Sequence, residues 1–300
     1  MKKISLLVIT FILSVSGTYS QEVLSPEDMN SVYKKDKHRN KITQTYAHLR
    51  QADVMWSRKI WREIDLRQKI NHPFYYPMYS GDDKEIITDD RQSLIEVIYR
   101  AVLSGELEAY SKAAYDDEFR YEMTDTELQA VGSAELKTET IYDEKLLEQG
   151  VDLELAARDT TYRVPFDRNR VKKWKVKEEW FFDKQRSVMD VRILGLAPMY
   201  EDRDQSNKIT GTYTPLFWIY FPEARNILIN AEVYNLVKND AERRTYDDIF
   251  WKRMFASTIV KESSVYDRRI DQFMVGLDAL LEAERIKEEL FNIEHDLWEY

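Results

Sequence analysis

The 300-residue chain contains no cysteine. Disulfides, thiolate nucleophiles, cysteine-bound metals and a lipid anchor on an N-terminal cysteine are thereby excluded. Glycine is scarce, with 8 residues in the whole chain against a usual frequency of about 7%, so glycine-built ligand loops have little to draw on. The 4 histidines, His38, His48, His72 and His295, lie too far apart for metal-ligand spacing. Only His72, beside Pro73, stands in an unusual local setting. Excess basic charge is also missing. The net charge is −10, which argues against nucleic acid as a main partner, because phosphate contacts need a basic surface. Beyond the first residues, no apolar run approaches the roughly 20 residues of a membrane-spanning helix. There is no Gly-x-Ser-x-Gly elbow, no His-Glu-x-x-His and no phosphate-binding loop. With 54 acidic residues, a carboxylate dyad is neither identified nor excluded by spacing. No cofactor is implied.

The chain opens with Lys2 and Lys3, an apolar run from Ile4 to Ser14, and small residues before Gln21. This predicts a secretory signal peptide over residues 1–20, too short to serve as a membrane span. Its removal takes the net charge from −10 to −12 by the loss of two lysines, and leaves about 280 residues, enough to bury a core without disulfides. Residues 21–41 are polar and read as a poorly ordered arm. A main domain is expected over 42–263 and a helical extension over 264–300.

Within the domain, Trp56, Ile60 and Ile64 recur four apart with Trp61 beside them, while Arg58, Lys59, Arg62, Glu63 and Asp65 fill the gaps. That spacing predicts an amphipathic helix. His72 precedes Pro73, and Phe74, Tyr75 and Tyr76 precede Pro77, so an extended aromatic arm is expected to follow. Leu94, Ile95, Ile98, Val102 and Leu103 share one helical face, capped by Asp89 or Asp90 and stopped by Gly105. Thr124 and Glu127 fit a capping box. Glu178 to Leu196 reads as a β-hairpin turning at Asp183–Arg186 and ending at Pro198, with a third strand around Leu216–Tyr220. Phe250, Trp251, Met254, Phe255 and Ile259 form a further apolar stripe, and a long helix is expected from Asp267. That helix either packs back on the domain or reaches out to a neighbour. The fold class that follows is α+β: a small antiparallel sheet covered by helices, with an extended N-terminal arm and a long C-terminal helix.

Charge is distributed in blocks. Glu106–Asp159 holds 16 acids and 5 bases, and Arg163–Arg186 holds 9 bases and 4 acids. Such blocks are either solvated faces or the two halves of a head-to-tail interface. Trp56, Trp61, Phe74, Tyr75 and Tyr76, together with Lys172, Lys173, Trp174 and Lys175, are the candidate interface residues. The 19 tyrosines and 7 tryptophans lie on helix stripes and in strands, which suits core and protein interfaces better than sugar stacking.

The stretch W-S-R-x-I-W-R-x-I-D-x-R-x-K-x-N-x-P-x-Y-Y-P from Trp56 to Pro77 resembles the opening signature of the GldN family, called PorN in non-gliding relatives. The likeness continues through Leu94–Ser111, Glu178–Pro198 and Leu216–Leu228. The resemblance implies a non-enzymatic component of the type IX secretion system of Bacteroidota, and of the gliding machinery where there is one. It implies a periplasmic ring held beneath the outer membrane by a GldK/PorK-like lipoprotein. It further implies contact with the periplasmic part of a GldM/PorM-like inner-membrane protein, with no direct membrane insertion and no nucleic acid. A secreted carbohydrate-binding or adhesion module is the alternative class, and a periplasmic hydrolase a more distant one.

Overall fold

The structure, a computed structural model, describes residues 41–78, 91–111, 117–142, 157–203, 208–234 and 242–296. The expected signal peptide, nearly all of the polar arm and the Asp89/Asp90 cap lie outside the described residues. The strands are β1 (Val54–Asp65), β2 (Ala109–Tyr110), β3 (Ser133–Tyr142), β4 (Ala157–Pro165), β5 (Val171–Asp183), β6 (Val188–Arg203), β7 (Ile209–Pro215), β8 (Trp218–Tyr220) and β9 (Thr258–Glu262). The helices are α1 (His72–Tyr75), α2 (Leu94–Leu103), α3 (Asp125–Gly132), α4 (Phe221–Leu228), α5 (Tyr246–Trp251) and α6 (Leu277–Asp296). Seven strands form one antiparallel sheet in the order β2-β8-β6-β5-β1-β9, with β7 also paired to β6, and β3 and β4 form a separate two-stranded ribbon. The α+β class is as expected, and the sheet extends well beyond the three strands read from the sequence.

The largest correction concerns Trp56–Asp65, which is strand β1 and not a helix. A repeat of four is a multiple of the strand period of two, so Trp56, Ile60 and Ile64 share a face in either conformation. Arg58 and Arg62 decide between them. A helix would turn them to water, but the strand puts them on the same face as Ile60. Arg62 is buried and paired with Glu178, and Arg58 pairs with Glu262 and Glu289. Trp61 points to the opposite face, so both faces of the strand are covered.

The β5–β6 hairpin forms as expected. The Asp183 carboxylate accepts from the Gln185 amide at 2.9 Å and from Arg186 Nε at 2.7 Å. The hairpin does not stop at Pro198, because β6 runs on to Arg203 and the Pro198 carbonyl accepts from the Leu216 amide at 3.0 Å. The expected third strand is divided between β7 and β8, which share one edge of β6. Pro222 then sits in the first turn of α4, where its fixed φ and missing N–H are tolerated.

Helix α2 covers the expected residues, with Ser93 and not Asp89 or Asp90 at its N-cap, and yields to Gly105 at φ +74°, a conformation open to glycine. At Thr124, the amide and hydroxyl both reach Glu127 Oε2, at 2.8 and 3.0 Å. The stripe from Phe250 to Ile259 is not one helix. α5 ends at Trp251, and Ile259 belongs to β9. The C-terminal helix starts at Leu277, since a 3-10 turn at Ile270–Gln272 and Gly276 at φ +62° intervene after Asp267.

One face of the sheet carries most of the core. Ile64, Trp174, Val176 and Leu196 pack there against Phe74 of α1, Ile98 of α2, Ala224 of α4 and Phe250 of α5. Farther along the same face of β1, Ile60 meets Ile259 of β9 and Ala283, Ile286 and Leu290 of α6. The helix therefore packs back through these residues. On the opposite face, Trp61, Tyr110, Ala197 and Trp218 make a smaller cluster that Phe119 covers.

Candidate interaction surface

The sequence-predicted interface residues separate once they are placed in the sheet. Phe74 is buried against Tyr246, Phe250 and Phe255. Trp174 is fully buried in the main core. Trp61 is buried in the outer-face cluster, its ring meeting Lys177 and Lys261 ammonium groups at 5.5 and 4.4 Å. Trp56 is half-buried beside α6, under the Arg58 guanidinium at 5.5 Å. Tyr75 is half-buried; its hydroxyl accepts from Lys172, whose ammonium also lies 4.3 Å from the ring centroid. Tyr76 is 41% exposed and sits edge-on to Tyr75. Three of these six aromatics, Phe74, Trp174 and Trp61, are thus buried in their own chain, and Tyr76 is the one most open to a partner.

The basic block is part of the sheet itself. β5 is a central strand between β1 and β6. Its alternation puts Lys173, Lys175 and Lys177 on the outer face and Trp174 and Val176 on the inner one. Lys173 pairs with Glu63 at 3.1 Å and meets the Tyr213 ring at 4.5 Å. Lys177 is buried, donates to the Asp117 carbonyl and comes within 3.9 Å of the Asp117 carboxylate. Lys175 has no carboxylate within ion-pair distance among the described residues, and its nearest ring is Trp218 at 6.0 Å. Burial pushes the Lys175 and Lys177 ammonium groups below the usual lysine range. Beside this row, a cleft of about 520 Å³ runs between Gly211–Tyr213, Thr258–Val260 and Arg269–Leu280, with Glu63 and Lys173 in its wall.

Sequence reading missed the charge network on the inner face. Glu178 is fully buried. It accepts from Arg62 Nε at 3.0 Å, Trp180 Nε1 at 3.0 Å and an Arg253 terminal nitrogen at 2.7 Å. Burial lowers the Arg62 guanidinium, and Glu178 acts against that shift. A second buried pair joins α4 to α5, where Arg225 and Asp247 make two hydrogen bonds at 2.8 and 3.2 Å. Tyr46 and Trp251 lie on the Arg225 guanidinium at 4.6 and 4.8 Å. Tyr46 thereby fixes the coil before β1, which also bonds through Thr43 to Asn226 at 3.0 Å. The signal of the Glu178 network in the sequence is an acid amid aromatics in Glu178–Phe182.

Among the described residues no three His, Asp or Glu side chains gather as a metal site, and no helix is long and apolar enough to cross a membrane. Exposed large apolar side chains are scattered over the molecule, Ile42, Met55, Tyr121 and Ile209 among them, and a run of them lies toward the C-terminus: Val265, Tyr266, Phe273 and Val275, then Leu277, Leu280, Leu281 and Phe291 on α6.

The family model described as gliding motility associated protein GldN matches residues 49–299. The chain belongs to the GldN family. The match begins just before β1 and runs past the end of α6, so the whole sheet and its helices fall within it. GldN-family membership supports a component of the gliding motility and type IX secretion machinery. A search among curated proteins returned no match.

Proposed function

We propose that this GldN-family chain is a non-enzymatic structural subunit of the type IX secretion system, and of the gliding machinery where its owner glides. It assembles as a periplasmic ring with a GldK/PorK-like outer-membrane lipoprotein, and the ring is engaged by the periplasmic part of a GldM/PorM-like inner-membrane protein. The observation that carries this reading is the family match across residues 49–299. The absence of cysteine supports a partner-borne attachment, because the chain has no residue for a lipid anchor of its own. A sheet locked by buried ion pairs suits a subunit that transmits force without rearranging.

The test is purification of the tagged chain from gently solubilised envelopes. The expected result is co-purification of an outer-membrane lipoprotein without added sugar, a mature N-terminus at Gln21, and loss of type IX secretion when the chain is deleted. Retention on a polysaccharide with no lipoprotein partner would replace this reading by the carbohydrate-binding alternative. Recovery with Met1 intact would remove the periplasmic placement.

A further inference from the structure

Helix α6 carries two seams. The first, Ala279, Ala283, Ile286, Leu290 and Ile293, advances by four and three residues and faces the sheet, the repeat that keeps one stripe facing a packing partner. The second, Leu277, Leu281, Glu284, Glu288 and Phe291, advances in the same way and faces water. Leu277 is 70% exposed, Leu281 60% and Phe291 67%. Large apolar side chains on a regular stripe of a packed helix are anomalous for a solvated face.

The middle of this second seam is acidic. Among the described residues Glu284 pairs only with Lys287, at 2.8 Å, and both side chains are more than half exposed, so the pair contributes little. Glu288 has no ion-pair partner among the described residues. A second copy of α6 laid on the seam would bring glutamates together at its centre, which like-charge repulsion opposes. An anionic lipid surface is disfavoured for the same reason. The other described helices have ten residues or fewer, too short to match a stripe that rises about 21 Å between its first and last members.

We propose that the second seam of α6 receives an amphipathic helix from a partner protein, one with apolar residues at the same four-three spacing and lysine or arginine facing Glu284 and Glu288. This rests on the assembly reading above and names the chemistry of one of its contacts. Apolar ends around a charged centre fix the register as well as the partner, because sliding by one heptad would leave both glutamates against apolar side chains.

The lack of cysteine allows a clean test in the full chain. Leu281→Cys and Glu288→Cys variants, with Lys184→Cys in the hairpin turn as a control, are labelled with a photoreactive maleimide and irradiated within isolated envelopes. Cross-links from positions 281 and 288 are expected in one helix of another protein, seven residues apart or fewer, next to lysine or arginine. The position-184 label should not reach that helix. Adding Glu284→Lys and Glu288→Lys, both on the exposed face, should leave the melting temperature of the isolated chain unchanged. It should cut the cross-link from position 281 by about tenfold or more. Cross-links to a second α6, to lipid, or to nothing overturn the seam, as does indifference to the charge reversal. If the lipoprotein still co-purifies when the seam fails, the assembly reading stands without it. If nothing co-purifies with the unmodified chain, the assembly reading itself fails.

Discussion

Strand β5 buries charge on both of its faces, by two different arrangements. On the inner face, Glu178 is fully enclosed, and three donors from Arg62, Trp180 and Arg253 occupy both of its oxygens at 2.7–3.0 Å. On the outer face, Lys173 and Lys177 each have an acid nearby, while Lys175 between them has none within ion-pair distance among the described residues. Burial works against the charged form in both places. Only the inner site meets it with a complete partner set, and only there are the partners drawn from three separate segments: β1, β5 and the turn after α5. A buried charge that is fully bonded ties elements together, whereas one that is not fully bonded stays a standing liability.

The most severe way to break this comparison is Glu178→Gln. The amide keeps the shape and removes the negative charge, leaving two guanidinium groups that both contact the Trp180 ring, at 5.7 and 5.4 Å. Breaking a buried ion network on one side costs about 3–5 kcal/mol. Denaturant unfolding of the variant should show a loss in that range with an unchanged m-value. A loss under about 1 kcal/mol would mean that the arginines find other partners, and that the network does not hold β1, β5 and α5 together.

This network is also where sequence and structure part company. The hairpin was legible because Ser187–Leu196 alternates and Asp183–Arg186 has turn chemistry. Helix α2 was legible because five apolar residues agree with one period and Gly105 closes it. In β1 the apolar residues alone were degenerate, since a spacing of four satisfies helix and strand alike. Arg58 and Arg62 could have resolved it, but polar residues are read as solvent-facing until their partners are known. Those partners, Glu178, Glu262 and Glu289, are 116 to 231 positions away. A related ambiguity hid the outer face. The lysines of the basic block looked like a solvated or docking surface, and alternation along a central strand was needed to see that they line a face covered by Trp61, Trp218 and Phe119. The aromatics and cations of the candidate interface stand out in the sequence as a set, but which of them are core and which open surface does not.

A smaller effect is expected from thinning or crowding the outer cover. Phe119 lies over Gly195, which is paired with Lys177, and a Cβ at position 195 would come within 2.4 Å of the Phe119 ring. Phe119 itself holds a left-handed conformation at φ 58°, which leaves it little freedom to withdraw. Gly195→Ala should therefore lift the Phe119 segment from Lys177 and cost about 1–3 kcal/mol, as overpacking does. Hydrogen exchange should show faster exchange at Ser111 and Met123, whose amides bond to Tyr121 and Ala109 at 2.9 and 2.8 Å. Unchanged protection at both amides would place the strain elsewhere.

The smallest effect, and the one of opposite sign, is expected at Lys175. Its ammonium is partly desolvated, no carboxylate among the described residues lies within ion-pair distance of it, and nearby Arg269 opposes its charge as burial does, against a weaker pull from Glu63 and Asp117. Lys175→Met keeps the length and apolar stem and removes the charge, at the loss of a weak contact with Trp218. The net gain at neutral pH should be about 0.5–1 kcal/mol. The pH dependence identifies the cause. A lysine whose folded pKa lies below its unfolded value of 10.5 holds fewer protons folded than unfolded between those two values. Its contribution to stability therefore rises with pH across that window. Below the folded pKa both states are protonated and the penalty is constant. The advantage of the methionine variant should accordingly be flat near neutrality and shrink as pH approaches 10.5. The tyrosines titrate in the same alkaline range, but they are common to both proteins and cancel in the difference. A gain that persists unchanged at alkaline pH would assign it to packing. A loss at neutral pH would show that Lys175 is paired after all, and that the two faces of β5 manage their charges alike.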